Sequence, residues 1–224
     1  MRSNKKGSIL ILMGLLMITA ALFLIIYNLR EGTEAGRSSE EIVEILEEKI
    51  ASVTEEEDSA EPEEGTETEA LENVPDFVDN PEMEMPVVGI NGNDYLGILE
   101  IPALGLKLPV MSGWSYPLLR SAPCRYTGSA YARNLILMAH NYNSHFGRIK
   151  NLHEGDKVTF TDADGYIFYY KVAEREILMP ESVADMQSGG WDLTLFTCTI
   201  GGQSRVTVRC ELESSGIDFS SELR

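Results

Sequence analysis

The sequence predicts a mainly β fold: a closed barrel of seven to eight strands with one or two short helices, preceded by an N-terminal transmembrane helix and an acidic linker. Three observations lead there. Residues 8–27 run uncharged for 20 positions. The negative charge is concentrated, because residues 31–86 hold 21 Asp/Glu against Arg37 and Lys49, whereas residues 87–224 hold 15 acids against 12 bases. From about Met85 the chain becomes a succession of short runs rich in β-branched and aromatic residues, punctuated by Gly, Pro, Asn and Asp.

Residues 1–7 read as a basic cytoplasmic tail, in which MRSNKK supplies three positive charges. SILILMGLLMITAALFLIIY follows as residues 8–27. About 20 apolar residues match the roughly 30 Å hydrocarbon core of a bilayer. A cleavable signal has a shorter apolar region, about 7–15 residues, ending in small residues at a cleavage site. No such site follows Tyr27, so the span is expected to stay as an anchor. Basic residues before it and acidic residues after it put the N-terminus in the cytoplasm. The chain therefore reads as a single-pass protein of the cell membrane with its folded domain extracytoplasmic.

Residues 28–84 read as the acidic linker. Within 39–53, Ile42, Leu46, Ile50 and Val53 recur at helical spacing, with Ser39 as an N-cap and Glu40 and Glu41 in the first turn. A short amphipathic helix and a solvated spacer both fit this pattern. TEEEDSAEPEEGTETEALE, residues 54–72, buries too little apolar surface to offset its ordering entropy. It is expected to be a disordered stalk that spaces the domain from the membrane.

Residues 85–213 carry the barrel. YLGILEIP, LKLPVM, NLILMAH, KVTFTD, GYIFYYKVAER, DLTLFTC and RVTVRCEL are its strands. One helical turn is expected at SHFGRIKNLH, where Phe146, Ile149 and Leu152 share a face. Residues 214–224 are left as a C-terminal tail. With a balance of only −3 over 87–224, no basic stripe exists to release counterions from phosphates, which excludes nucleic acid as a partner.

The chemistry is sought among the thiols and imidazoles. Three cysteines allow at most one disulfide and leave a thiol over. Cys210 shares a strand face with Val206 and Val208 and reads as a buried small hydrophobe. Cys124, in SAPCRYTG, is placed in a loop, either buried or paired with Cys210. Cys198 ends an apolar strand where the chain must turn, which puts its sulfur at a rim. The connection TIGGQS then returns the chain to Arg205, bringing the guanidinium beside the thiol, where it offers paired donors to a developing oxyanion. A thiol nucleophile needs a proton partner. His140 also ends an apolar strand and is the candidate general acid/base, while His145 and His153 read as surface residues. No zinc-type spacing is present.

TLFTC followed by an Arg opening the next strand, with an upstream apolar strand ending in Ala-His, resembles the sortase family of Gram-positive membrane-anchored cysteine transpeptidases. The likeness covers about residues 85–213, from YLGILEIPALGLKLPV through LMAHN and HFGRIKNLHEGD to Arg205. It implies a sortase-like barrel with Cys198 as nucleophile, His140 as general acid/base and Arg205 as the oxyanion or substrate-positioning residue. Thr197 is the candidate for holding the substrate. The implied partners are the sorting-signal peptide of a secreted surface protein, LPXTG-like, and an amine of a cell-wall precursor or protein. NPQTN-cleaving members carry a long helix where this chain has only ILMPESVADMQSGGW, so that class is not expected. Pilin-polymerising members often carry an Asp-Pro-aromatic lid, and DNPEMEMP lacks it. Calcium stimulates some relatives, and Glu181 and Asp185 lie in an acidic loop, but neither a metal nor any other cofactor is expected. Two alternatives stand beside this reading: a non-catalytic β-barrel that binds peptide or glycan, and a cysteine peptidase that is mainly hydrolytic.

Overall fold

The computed structural model describes residues 5–58 and 75–217. Residues 59–72 of the expected stalk and the last seven residues of the expected tail lie outside them.

Nine strands form one sheet: β1 (Val88–Ile90), β2 (Asn93–Ile101), β3 (Leu106–Met111), β4 (Cys124–Thr127), β5 (Leu135–Ala139), β6 (Lys157–Asp162), β7 (Tyr166–Leu178), β8 (Leu193–Cys198) and β9 (Arg205–Ile217). Their order is β1-β2-β3-β4-β5-β8-β9-β7-β6, and β2 also pairs with β6, so eight strands close a ring with β1 outside it. The seven runs read from sequence are all strands. The two additions, β1 and β4, are three and four residues long, too short to show an alternation. β9 stays paired with β7 as far as Ile217, so the sheet continues past residue 213, where a tail was expected. Closure depends on Gly97, whose φ is +147° and where a Cβ would sit 1.9 Å from the carbonyl oxygen of Thr161. Only glycine lets the β6 backbone come that close.

The inward residues of the alternating strands, among them Leu99, Leu108, Leu137, Phe160, Leu195 and Val208, are at most 3 % exposed and make one core. The expected turn forms as a 3-10 helix, Phe146–Asn151, with Phe146, Ile149 and Leu152 all buried in that core. The folded unit also begins before Met85. A short helix, α2 (Asp76–Asp79), inserts Phe77 into the core, stacked on Tyr131 with centroids 4.4 Å apart, and another, α3 (Tyr116–Leu119), follows β3.

The N-terminal region is one continuous helix, α1 (Lys5–Asp58). Its residues Ile9–Ile18 and Leu22–Tyr27 are largely exposed, and the helix is long and apolar enough to cross a membrane, with a mean hydropathy of 3.0 over its most apolar 18 residues. Ser39 is not an N-cap, since it lies mid-helix and is 2 % exposed. Nor are residues 39–50 a solvated spacer. Ile42, Val43, Leu46 and Ile50 are buried against Ile90, Tyr95, Ile98 and Met111, each contributing roughly 2 kcal/mol of apolar burial. Lys107 adds an exposed ion pair to Glu47 at 2.5 Å, worth little by itself. The contact with the sheet thus precedes the acidic stretch in the chain.

Two buried titratable groups give the fold opposing pH dependences. Burial pushes the Asp162 carboxyl up to about 6, against 3.8 when unfolded, although it accepts the Tyr131 hydroxyl at 2.7 Å and the amides of Asp164 and Tyr166. Between pH 3.8 and 6 the folded state holds a proton the unfolded state has lost, so stability falls as pH rises. Burial, with His140 nearby, lowers His145 to about 4 from 6.5. Between pH 6.5 and 4 the unfolded state takes up a proton the folded state refuses, so stability falls as pH falls. Each slope is about 1.4 kcal/mol per pH unit. Asp162→Asn should therefore gain on the wild type as pH rises from 4 to 7, and His145→Gln should gain as pH falls over the same range. Chemical denaturation at three pH values checks both signs.

Candidate active site

The site is built at one end of two parallel neighbours. β5 and β8 run in register from Leu135↔Leu193 to Ala139↔Thr197. Asp192 fixes their common start: its carbonyl oxygen accepts the Leu135 amide at 3.1 Å, and its carboxylate accepts the Arg133 guanidinium at 2.8 Å and the Leu212 amide at 2.7 Å. Parallel strands about 4.8 Å apart then carry the next residues, His140 and Cys198, to the same edge of the sheet. Thr197 ties the two ends together, its hydroxyl donating to the Ala139 carbonyl at 2.8 Å.

Cys198 also pairs in register with Arg205 across the β8–β9 connection. His140, Thr197, Cys198 and Arg205 all line one cavity of about 220 Å³. The guanidinium itself is held at its own turn, with Nη1 donating to the carbonyls of Gly202 and Ser204, both at 3.2 Å. The backbones of Arg205 and Cys198 thus stand opposite each other, while the guanidinium is anchored to the connection. Thr197 lines the cavity but is deeply placed in it. It is 3 % exposed, and its hydroxyl is engaged by Ala139 rather than offered to a ligand. Thr197→Val keeps the β-branched shape and removes that bond. It should lower kcat about tenfold through misplacement of the two strand ends while leaving KM in place. A residue holding the substrate by its hydroxyl would instead raise KM.

His140 is half-buried, and that burial lowers it from the ordinary imidazole range, with Glu31 opposing and Arg120 reinforcing the shift. It is neutral at pH 7 and available as a base. The loop beyond it folds back at once, the Phe146 amide donating to the His140 carbonyl at 3.2 Å. Gly147 permits this fold, since a Cβ there would lie 2.4 Å from the Asn141 carbonyl oxygen. His145, read from sequence as a surface residue, is fully buried by this fold and by α1. His153 is exposed, as expected.

The three cysteines are all free, which removes the Cys124–Cys210 pair. Cys124 opens β4 instead of lying in a loop, and it packs in a different cluster from Cys210. Burial pushes its thiol up to about 12 and pushes Cys210 higher still, so neither is a nucleophile at neutral pH. Cys198 is the partly exposed thiol of the three.

The rest of the cavity was not visible in the sequence. Trp114, Tyr116 and Tyr126 form an aromatic wall, with Tyr126 edge-on to Phe196 at 5.4 Å. Met138, Met186 and Phe196 give it an apolar floor. The only sequence hint was GWSYP, two large aromatics in a turn. Met186 belongs to α4 (Val183–Gln187), the single short helix between β7 and β8. A wider, more polar depression of about 450 Å³ shares Trp114 and Tyr126 with this cavity but contains no thiol or imidazole. Glu181 and Asp185 are exposed, Glu181 just before α4 and Asp185 within it.

A family model described as a sortase domain matches residues 99–213. Among curated proteins none matches the chain. Similar solved structures include a sortase D5 transpeptidase of Clostridium perfringens, 23 % identical over 55 % of this chain and 81 % of that one, with a TM-score of 0.48. A pilus-related sortase C of Group B Streptococcus is 24 % identical over 56 % of this chain and 70 % of that one, also with a TM-score of 0.48. Sortase A of Listeria monocytogenes is 20 % identical over 57 % and 92 %, with a TM-score of 0.49.

Proposed function

The chain belongs to the sortase family, and on that premise we propose that it is a membrane-anchored cysteine transpeptidase acting on the sorting signal of a secreted protein. The observation that carries this reading is the convergence of Cys198, His140 and Arg205 on one partly apolar cavity at a single edge of the sheet. A binding module has no need of a thiol, an imidazole and a guanidinium at converging strand ends.

In the first step the Cys198 sulfur attacks a backbone carbonyl of the signal after passing its proton to His140. The C–N bond breaks, His140 returns the proton to the leaving amine, and a thioester remains. In the second step an amine of a cell-wall precursor or protein attacks the thioester carbon and gives its proton to His140, and the C–S bond breaks. Arg205, at the rim, steadies the oxyanion that forms in each step. The aromatic wall and apolar floor suit an aliphatic side chain, which fits the leucine of an LPXTG-like signal. The apolar part of α1 holds the enzyme in the cell membrane, with the catalytic domain outside.

The test uses the full chain in detergent with quenched peptides carrying LPXTG-like and NPQTN-like motifs, with and without a glycine-based amine, read by mass spectrometry. Cleavage at one Thr–Gly bond with amine-dependent ligated product supports the transpeptidase. Cleavage that ignores the amine supports a hydrolase, and silence across the library from folded protein supports a barrel that only binds.

A further inference from the structure

We infer that residues 31–50 of α1 are a working part of the catalytic unit, holding in place the loop that follows His140, with Ser39 and Gly36 as positioning residues. This rests on the reading of His140 as the general acid/base.

The contacts are specific to that loop. The Ser39 hydroxyl donates to the Ser121 carbonyl at 3.1 Å, which commits its hydrogen, so at its 3.4 Å approach to His145 Nε2 it accepts. His145 is therefore the Nε2–H tautomer, and its buried Nδ1 has no partner among the described residues. One turn back, Gly36 lies so close to the loop that a Cβ there would meet the Ser144 Cβ at 3.0 Å. One further turn back, the Gly32 carbonyl accepts the Ser144 hydroxyl at 2.7 Å, and Gly32 lies beside Tyr142, where a Cβ would meet the ring at 3.8 Å. Tyr142 in turn packs its ring against His140, with centroids 5.1 Å apart, and against His145 at 5.5 Å. The same stretch of α1 covers Leu119 and Ala122, and Leu119 lines the cavity. Gly32, Gly36 and Ser39 recur every three to four residues, so one helical face meets the loop.

A helix that merely buried apolar area would need only Ile42, Val43, Leu46 and Ile50. The polar contacts of residues 31–39 go instead to residues 120, 121, 144 and 145. Because α1 is unbroken from the apolar span to these contacts, the anchor and the imidazole share one rigid support.

The test compares Ser39→Ala and Gly36→Val with Val158→Ala, a truncation in β6 outside the cluster that α1 joins, all in the full chain and each with its stability measured alongside. The readout is the pH profile of Cys198 alkylation by iodoacetamide, which needs no peptide substrate, with the modified cysteine identified by mass spectrometry because Cys124 packs in the same cluster as α1. The titratable groups facing His140 are Glu31, Arg120, Tyr142, His145 and Cys198, and none of them is altered. Loosening the loop hydrates His140, so its limb of the profile should move to higher pH in both α1 variants. Ligation kcat should fall about tenfold at unchanged KM. Val158→Ala should keep the wild-type profile. If Ser39→Ala and Gly36→Val also keep it, the helix is packing alone and the inference is overturned. Absence of ligated product from the wild type would count against the transpeptidase while the alkylation comparison still decides the role of α1.

Discussion

Cys198→Ala is expected to abolish both cleavage and ligation, a loss of about 10⁴-fold or more, while the protein keeps its fold and melting temperature. The size follows from the mechanism proposed here. Without the sulfur no thioester forms, and the remaining groups can only polarise a carbonyl that nothing attacks. The fold should survive because Cys198 stands at the exposed end of β8, where removing one atom opens no closed void. The other two thiols supply the internal control. Cys124 and Cys210 are fully buried in separate clusters, so Cys124→Ala and Cys210→Ala should each cost about 1 kcal/mol of stability and leave turnover intact.

The neighbours should follow in rank. His140→Ala removes proton transfer in both steps, worth about 10²–10⁴-fold. Arg205→Ala removes charge stabilisation at the rim, worth about 10²–10³-fold. Ligated product from Cys198→Ala at a rate near wild type would remove the covalent mechanism altogether. Equal losses in all three cysteine variants would mean that stability, not chemistry, was being read.

How much of this was legible in the sequence depends on the range of the interaction. His140 and Cys198 could be singled out as candidates because each ends an apolar run at an abrupt turn, a signal contained within seven residues. The parallel register that makes their strands neighbours is long-range, yet two independent strand ends needed only to meet. His145 was misread because its neighbours Asn143 and Ser144 are polar, and the chain that buries it lies 106 residues away at Ser39. For the same reason α1 was divided into an anchor and a possible short helix: periodicity shows that residues 42–50 have an apolar face but not what covers it. Thr197 was assigned to the substrate from its place in the motif. Its hydroxyl donates to the Ala139 carbonyl, a contact set by the register of β5 and β8, which no local signal shows.

Arg209 is the largest fully buried side chain in the fold, and Arg209→Met is expected to cost about 3–5 kcal/mol, a fall in Tm of roughly 10 °C. On β9 the core-facing residues are Val206, Val208 and Cys210, so alternation sends Arg209 to the outer face, where an arginine would ordinarily be solvated. Here the segment that carries α4 folds over it. Nε donates to Glu176 at 2.7 Å, Nη1 to the Met186 carbonyl at 2.7 Å and to the Thr194 hydroxyl at 3.0 Å, and Nη2 to the Asp185 carbonyl at 2.8 Å. Methionine fills much of the same space but leaves the Met186 carbonyl and the Thr194 hydroxyl without this donor and the Glu176 carboxylate without its cation, while the Asp185 carbonyl keeps Ser188 as a donor. The damage also reaches the cavity, because Met186 is part of its floor and Ser182 and Val183 line it from the same segment. Arg209→Met should therefore raise KM for the signal peptide as well as lower Tm. Glu176→Gln keeps an acceptor in place and Thr194→Val removes a single bond, so each should cost only about 1–2 kcal/mol. Thermal melts of the three variants beside their steady-state kinetics provide the measurement. A Tm loss without a KM change would mean that α4 holds its place by apolar packing alone, and equal losses in all three would mean that Arg209 contributes no more than any one of its partners.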